Sequence, residues 1–583
     1  MIKRLFRQML ATQILSAMTV TVCMLIDSIM IGRYLGVDSM TAYGLAMPLL
    51  LIFSAFGSTM SAGIQVLCGH SVSDADQKGV NACFSASLVL TALFAGAGLL
   101  IIYLFSNPIC TLLGAGSPAP DNHVFFLTRD YIRGFLIGAP AFLLAQIMVP
   151  YMQIAGKRTR LAIAVVLMTV SNILFNSLNV FVFRGGTFGM GLASGLSYYV
   201  AVISAFDVFI TKRSAFRFRL RSVTKKTCVE LLRGGLPTVV NHASLVFLIF
   251  VINNVLLSVG KNSAVAAYSV ITSVGNICYC FGAGIGSVAL LLSAIFYADE
   301  DKTSLRKLVR VMIYYAVVLD LVLTGLILLL APELASLFLT DSADAVRMAT
   351  LGVRLFSLSL LPSALNTAFK NYFQGIGNTA LSKWISFFQN FLFTALFAIL
   401  FSRFFKTTGV WMAYVCGESL TFLVISLVVW KQNGAVAFHA KAYSFLPHGF
   451  GVPDEDCLEM TVKSVKDPHR ASEKALTFCR MHGESEDRAQ QVAHCISEMT
   501  QNVIKHGFFK DRRSCRMEIR LILKGGECII RLRDNCKDFN PIRYFERYKS
   551  NADTDLGILG VMKTVKSANY INSLGWNNLT LTL

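Results

Sequence analysis

A chain of 583 residues, 54% apolar and 15% charged with a mean hydropathy of +0.58, is too long for one ordinary domain and too apolar for a soluble protein. Its formal charge of +19 does not read as a nucleic-acid footprint, because Lys and Arg fall mainly in short loops between apolar runs, where membrane topology places them. The 14 cysteines show no CxxC pair or metal-ligand spacing and read as free thiols, those after residue 450 in a reducing, cytoplasmic compartment. Met1-Ile-Lys-Arg4 leads into a run too long for the core of a cleavable signal peptide.

The first apolar run, residues 9–35, is long enough to cross a bilayer and carries one carboxylate, Asp27. An acid in that position costs about 3 kcal/mol on insertion scales, so it calls for a role. The run ends in Gly32-Arg33-Tyr34, followed by a polar hairpin, Gly36-Val37-Asp38-Ser39-Met40-Thr41-Ala42. Runs of spanning length lie near 9–31, 41–67, 82–105, 126–150, 161–183 and 188–211. After a basic linker at 212–226 they resume near 236–259, 266–297, 309–331, 348–371, 381–402 and 408–430, twelve spans in all. Lys3, Arg4, Arg7, Lys157, Arg158, Arg160, the linker, Arg306, Lys307 and Arg310 fall on one side of the membrane. The opposite loops, around Asp121 and at 333–344, are poor in Lys and Arg, which puts both termini in the cytoplasm and the chain in the inner (plasma) membrane.

The two sets of six echo each other. The first hairpin recurs 224 residues on as Gly260-Lys261-Asn262-Ser263-Ala264-Val265-Ala266. Tyr151-Met-Gln-Ile-Ala-Gly156 recurs 221 residues on as Tyr372-Phe-Gln-Gly-Ile-Gly377. Six spans return the chain to its starting side, so the halves, 1–220 and 221–432, are parallel repeats about an axis along the membrane normal.

Four acids, Asp27, Asp207, Asp320 and Glu418, lie within or near apolar runs. A carboxylate held away from water can exchange a proton or hold a cation; an acid near a helix end can instead reach the headgroups or pair with a neighbouring helix. Asn172, Asn176 and Asn179 recur at i, i+4 and i+7 and share one face of the fifth run. Such a face either joins helices or lines a cavity.

Asp27-Ser-Ile-Met-Ile-Gly-Arg-Tyr-Leu-Gly36, with Ala42-Tyr-Gly-Leu-Ala46-Met-Pro48 after it, resembles the opening of multidrug and toxic compound extrusion (MATE) transporters, over roughly residues 5–432. The resemblance implies a membrane all-α fold of two six-helix halves. It also implies export of organic, often cationic compounds by alternating access, driven by inward H⁺ or Na⁺. It assigns Asp27 to cation coupling and aligns Asn172-Ile-Leu-Phe-Asn176 with the family's fifth helix. One branch of the family often has Asp where this chain has Asn176, and an amide cannot take up a proton.

After Trp430 the composition changes. Residues 433–453 form a connector, and 454–583 are charged and amphipathic. Residues 473–506 read as helices, 515–523 and 528–532 as a β-hairpin about Gly525-Gly526, and 578–583 as a closing strand, together a soluble α+β domain. Glu498, Asn502 and His506, at i, i+4 and i+8, share one helix face; a carboxylate suits a general base and an amide oxygen suits Mg²⁺.

Glu498-Met-Thr-Gln-Asn502-Val-Ile-Lys-His506-Gly507, then Asp534-Asn-Cys-Lys-Asp-Phe539-Asn-Pro541, then Asp555-Leu-Gly557-Ile-Leu-Gly560-Val resemble, in that order, the N-box and two glycine boxes of GHKL-type ATPases. The closest likeness is to the serine kinases that act as anti-sigma factors. It implies bound ATP and Mg²⁺: Asn502 on the metal with His506 nearby, Glu498 as base, Asp534 on the adenine amino group, and Gly557 and Gly560 where backbone meets phosphate. Cys536 and Asp555 stand where that family usually has glycine.

The combined expectation is an ion-coupled exporter of small organic compounds in a lipid bilayer, regulated by or signalling through an ATP-binding, serine-kinase-like domain that meets a cytoplasmic regulatory protein. The alternatives are a membrane receptor whose tail phosphorylates or sequesters that partner, and a flippase for lipid-linked precursors. Without a GxxxxGK[ST] loop, the tail is not read as the motor.

Overall fold

The computed structural model describes residues 2–210, 216–338, 343–433, 442–447, 449–453, 455–463, 467–507, 515–548 and 557–583. An apolar segment in lipid must satisfy its own backbone, so each long apolar run is helical. The first six spans are Ile2–Leu35, Val37–Ser73, Gln77–Leu104, His123–Ile154, Arg158–Phe183 and Gly186–Ala205. The next three are Lys225–Gly260, Ala267–Ala298 and Lys302–Leu337, and the tenth is a pair, Val346–Ser357 and Leu360–Gly375, bent by 47°. Thr379–Gln432 is helical over 54 residues, which at the usual helical rise is about 80 Å against a hydrocarbon core of about 30 Å. Its backbone breaks at Lys406, with a φ of 50°, and the break divides it into an eleventh and a twelfth span.

The first hairpin is tighter than the sequence reading, because residues 37–42 already belong to the second span and Gly36 alone makes the break. Five π-helical residues, Ile31–Leu35, run into Gly36, whose φ of 85° ends the helix before Val37 starts the next. Its expected copy at 260–266 stays within helical backbone, and the side chains of Lys261, Asn262, Ser263 and Ala266 lie outside the described residues.

The halves meet most closely where the second span crosses the seventh. A Cβ on Gly63 would stand 2.1 Å from the Leu231 carbonyl oxygen, and one on Gly235 would stand 2.1 Å from that of Thr59, so glycine is what lets these backbones touch. At the face that carries the N terminus and the basic loops, a single apolar core joins the halves, uniting Phe6, Met9, Ile64 and Tyr151 with Leu291, Phe296, Leu308 and Phe373. Toward the other face each half keeps its own core, around Tyr43, Phe53 and Phe135 in one and Tyr268, Phe356 and Trp411 in the other. Between them lies a cavity of about 870 Å³, reaching from Val265 and Tyr268 to Gln13 and Gln374. The molecule is closed at its basic face.

The C-terminal domain is a five-stranded antiparallel sheet in the order β1-β2-β3-β5-β4, with β1 Cys457–Val462, β2 Met517–Lys524, β3 Glu527–Asp534, β4 Ser567–Ser573 and β5 Trp576–Thr582. The β2–β3 hairpin and β5 follow the sequence expectation; β1 and β4 add strands it did not contain. Period-2 alternation turns Ile519, Leu521, Ile530, Leu532, Leu579 and Leu581 onto one face, where helices Asp467–Met481 and Glu486–Gly507 cover them.

The other face of that sheet rests on the membrane part. Arg520 and Arg531 are cross-strand partners, an arrangement that repels unless an acceptor lies between them. The Asp299 carbonyl, at the end of the eighth span, accepts from Arg520 Nη1 at 3.0 Å and Arg531 Nη1 at 2.9 Å. The Asp299 carboxylate takes Arg531 at 2.9 Å, Arg533, and the Ser73 hydroxyl of the N-terminal half at 2.6 Å. Burial opposes the charge on Asp299, but Arg533 and Arg531 outweigh it and hold the carboxyl below the usual range. This contribution to docking is therefore complete at neutral pH and is lost only as pH falls through that lowered value. Lys524 adds a pair to Glu300 at 2.8 Å.

The β4–β5 turn touches the N-terminal half. Leu574 N donates to the Ile154 carbonyl at 2.6 Å, and Arg158 Nη2 donates to the Leu574 carbonyl at 2.9 Å. A Cβ on Gly156 would stand 2.3 Å from Gly575 N, so a side chain at 156 would push the turn away. The described part of the connector is packed as well: Tyr372 donates to the Ser444 carbonyl, and Phe450 stacks on Tyr297. The domain is docked across both halves.

Candidate functional site

Asp27 is 5% exposed, and the fifth and sixth spans supply its partners. Asn172 Nδ2 and Asn176 Nδ2, one helical turn apart on the fifth span, donate to its Oδ1 at 3.1 and 2.6 Å. Ser194 Oγ on the sixth span donates to Oδ2 at 2.7 Å. Asn176 Oδ1 is buried with no hydrogen-bond partner among the described residues. The hydroxyl of Ser194 can turn to accept as well as donate, so this pocket can hold the carboxyl in either protonation state. Ser194 is the member that sequence reading missed; nothing in Ala193-Ser194-Gly195 distinguishes it from a packing serine.

Asn179 stands apart from this cluster. The fifth span passes into a π-helical turn at Asn179–Phe183, and the Asn179 side chain accepts from Gly185 N at 3.1 Å and donates to the Gly186 carbonyl at 3.1 Å. It closes the turn between the fifth and sixth spans. Asp207 lies at the basic face, paired with Arg160 at 3.1 Å. Asp320 and Glu418 both border the cavity between the halves; Asp320 is 1% exposed, and its Oδ2 is buried without a partner among the described residues.

In the C-terminal domain the three motif stretches come together at one end of the sheet. Glu498 and Gly557 are neighbours: a Cβ on Gly557 would stand 3.9 Å from Glu498 Oε2. Gly507, one residue past His506, packs against Cys536, whose Sγ would lie 2.9 Å from a Cβ there. Asp534 ends β3 at 6% exposure, its Oδ1 taking Asn577 Nδ2 and Cys536 N, both at 2.9 Å. Burial pushes the Asp534 carboxyl up against those two bonds. Asn502 is half-buried and His506 exposed on the same helix. Gly560 is buried within helix Ile558–Thr564, which has only seven residues, and Asp555 lies outside the described residues. Cys536 fits the turn without needing a glycine's φ, because it serves through its backbone N–H. Asn577 is the residue that motif reading missed, although it lies in the closing strand.

The two halves, the cavity between them and the buried carboxylate of the first span have the layout of a membrane transporter. A MatE family model matches residues 13–178 and 237–400, and the chain belongs to that family as a multi-pass membrane protein. It is 23% identical over 436 residues to the Bacillus subtilis "Probable multidrug resistance protein YoeA", covering 72% of this chain and 92% of that one. It is 22% identical over 394 residues to the "Multidrug export protein MepA" of Staphylococcus saprophyticus, covering 67% and 85%. The fold is similar to a crystal structure of MATE in the straight conformation, at a TM-score of 0.68 and 20% identity over 72% of this chain and 94% of that one. It is also similar to an outward-facing multidrug resistance MATE family transporter, at a TM-score of 0.67 with the same identity and coverage. The family match ends at residue 400, so the C-terminal domain lies beyond it.

Proposed function

We propose that this chain is an ion-gradient-coupled exporter of organic, drug-like compounds, set in the plasma membrane with its basic face in the cytoplasm. The observation that carries the reading is the cavity between the halves, sealed at the basic face by a core both halves share and flanked elsewhere by separate cores. That is one closed gate of an alternating-access carrier. The names of the relatives support the substrate class. Asp27 is the coupling group: H⁺ or Na⁺ at its carboxylate changes which of Asn172, Asn176 and Ser194 it can engage. The state of the ion thereby reaches the packing of the first, fifth and sixth spans. Cells producing the chain are expected to accumulate less of a fluorescent organic cation than cells without it; equal accumulation contradicts the reading.

The C-terminal domain is the regulator in this reading. Opening toward the cytoplasm requires the halves to part where the domain bridges them, so docking favours the closed gate. Strand β3 links the two faces of the domain: Arg533 reaches Asp299, and the next residue, Asp534, faces the candidate nucleotide site. Asn502 would hold the metal of a bound Mg-ATP, Asp534 would take the adenine amino group, Gly557 and Gly560 would let backbone meet the phosphates, and Glu498 and His506 share the helix that carries Asn502. ATP would supply a transferable phosphoryl group there, and Glu498 is placed to take the proton of an acceptor hydroxyl. Calorimetry on the full chain in nanodiscs is expected to detect Mg-ATP, with Asn502→Ala weakening it by about tenfold or more. Unchanged affinity would remove the metal role of Asn502. The same docking favours a second reading, a receptor in which a ligand in the cavity releases the domain toward a cytoplasmic regulatory protein.

A further inference from the structure

The cavity wall contributed by the C-terminal half carries an ammonium group that the coupling scheme does not use. Lys370, on the tenth span, lines the cavity between the halves. Its Nζ donates to Asn241 Oδ1 at 2.5 Å and to Gln389 Oε1 at 3.2 Å. Both acceptors are neutral amides. Glu418 is the neighbouring acid, but Gln389 stands between: its Nε2 donates to Glu418 Oε1 at 3.4 Å while its Oε1 faces Lys370. The other carboxylate oxygen, Oε2, takes Asn366 Nδ2 at 2.8 Å. Glu418 is 4% exposed and committed to amide donors.

The arrangement is an ion pair held apart by an amide. A lysine at membrane depth is costly unless its charge is answered, and two amide dipoles answer it only in part. An ammonium has three donors, and the Nζ bonds to Asn241 and Gln389 use two of them. The open side of Lys370 is the cavity, which at about 870 Å³ has room for a drug-sized molecule. The group that completes Lys370 is an oxyanion arriving from that side. Asn241 also takes Asn390 Nδ2 at 2.7 Å, so its oxygen is held in place and the lysine is aimed rather than loose.

We infer that Lys370, braced by Asn241 and Gln389, is a recognition site for a carboxylate-type oxyanion on the transported compound. This rests on the exporter reading and deepens it: the preferred cargo is zwitterionic rather than purely cationic. Asp320, whose buried Oδ2 has no partner among the described residues, borders the same cavity and supplies an opposite charge for the cationic end.

The test uses two dyes with one cationic ring system, rhodamine B, which carries a free carboxylate, and rhodamine B methyl ester, which does not. Binding is read by fluorescence polarisation on the full chain in lipid nanodiscs. Wild type is expected to bind the free acid about tenfold or more tighter than the ester, the scale of a hydrogen bond between charged partners. Lys370→Met is expected to erase that preference while leaving ester affinity within about twofold, since the ester never engaged the ammonium. Gln389→Glu gives Lys370 a built-in counter-ion and is expected to erase the preference with the lysine still present. Equal affinities in wild type, or a preference that survives both substitutions, overturns the inference and leaves the exporter reading standing. Failure of both dyes to bind wild type overturns the two together.

Discussion

Asp27→Asn is expected to stop ion-coupled export while leaving the protein folded. The two effects separate because the pocket tolerates an amide. The new Oδ1 can still accept from Asn172 and Asn176, and the new Nδ2 can donate to Ser194, whose hydroxyl turns to accept. Each bond of this kind is worth about 1 kcal/mol, so the change in stability is expected to stay near that size. Transport has no such compensation. An amide neither takes up a proton nor binds Na⁺ as a carboxylate does, and Asn172 and Asn176 offer no other acid on that face. Export of a fluorescent organic cation from proteoliposomes is expected to fall about a hundredfold, the scale of losing an essential acid–base group. Thermal unfolding read in the same preparation confirms the fold. Export at wild-type rate would make Asp27 a structural residue.

The second large effect is expected at Asp299. The side chain is 1% exposed and receives Arg531, Arg533 and Ser73. Replacing it with alanine leaves two arginines facing an apolar gap, and breaking a buried pair in this way costs about 3–5 kcal/mol. The Asp299 carbonyl remains, so Arg520 and Arg531 keep one acceptor, but the like-charged pair across β2 and β3 is then poorly answered. Asp299→Ala is expected to undock the C-terminal domain without unfolding it, because its own core lies on the far side of the sheet. Hydrogen exchange is the readout. Backbone amides of the β4–β5 turn, Leu574 above all, are expected to exchange faster, whereas those of Ile519 and Ile530 keep their protection. Unchanged exchange at Leu574 would mean that the turn, not the arginine cluster, holds the domain.

Much of the membrane architecture is legible in the sequence because lipid enforces a single rule: a long apolar run becomes a helix. The Gly36 break and the pairing of the β2–β3 hairpin are equally local and equally readable. Asp27 is conspicuous as the acid within the first apolar run, and the Asn172/Asn176 spacing places both amides on its side of the fifth span. Asn179 shows the limit of that periodicity, since the helix turns π-helical at that residue and redirects the side chain into the next turn. The docking surface was hidden for a different reason. No local pattern sets Arg520, Arg531 and Arg533 apart from the solvated face of a sheet, or Asp299 from an ordinary loop acid. Their meeting depends on contacts separated by more than 200 residues, which no local pattern encodes. The available signal was a mismatch: an acidic run, Asp299-Glu300-Asp301, on the side that carries the basic loops. Lys370 was lost within an apolar run, although a cation there is as much in need of a role as Asp27.

The central claim is that an ion gradient drives organic compounds through the cavity between the halves, and one measurement addresses it directly. Purified chain is reconstituted into proteoliposomes with a fluorescent organic cation, and a proton gradient or a sodium gradient is imposed, each alone. The account predicts concentrative dye movement opposite to the flow of one of these ions, collapsing when that gradient is dissipated. Dye that only equilibrates, or does not move under either gradient, would contradict it.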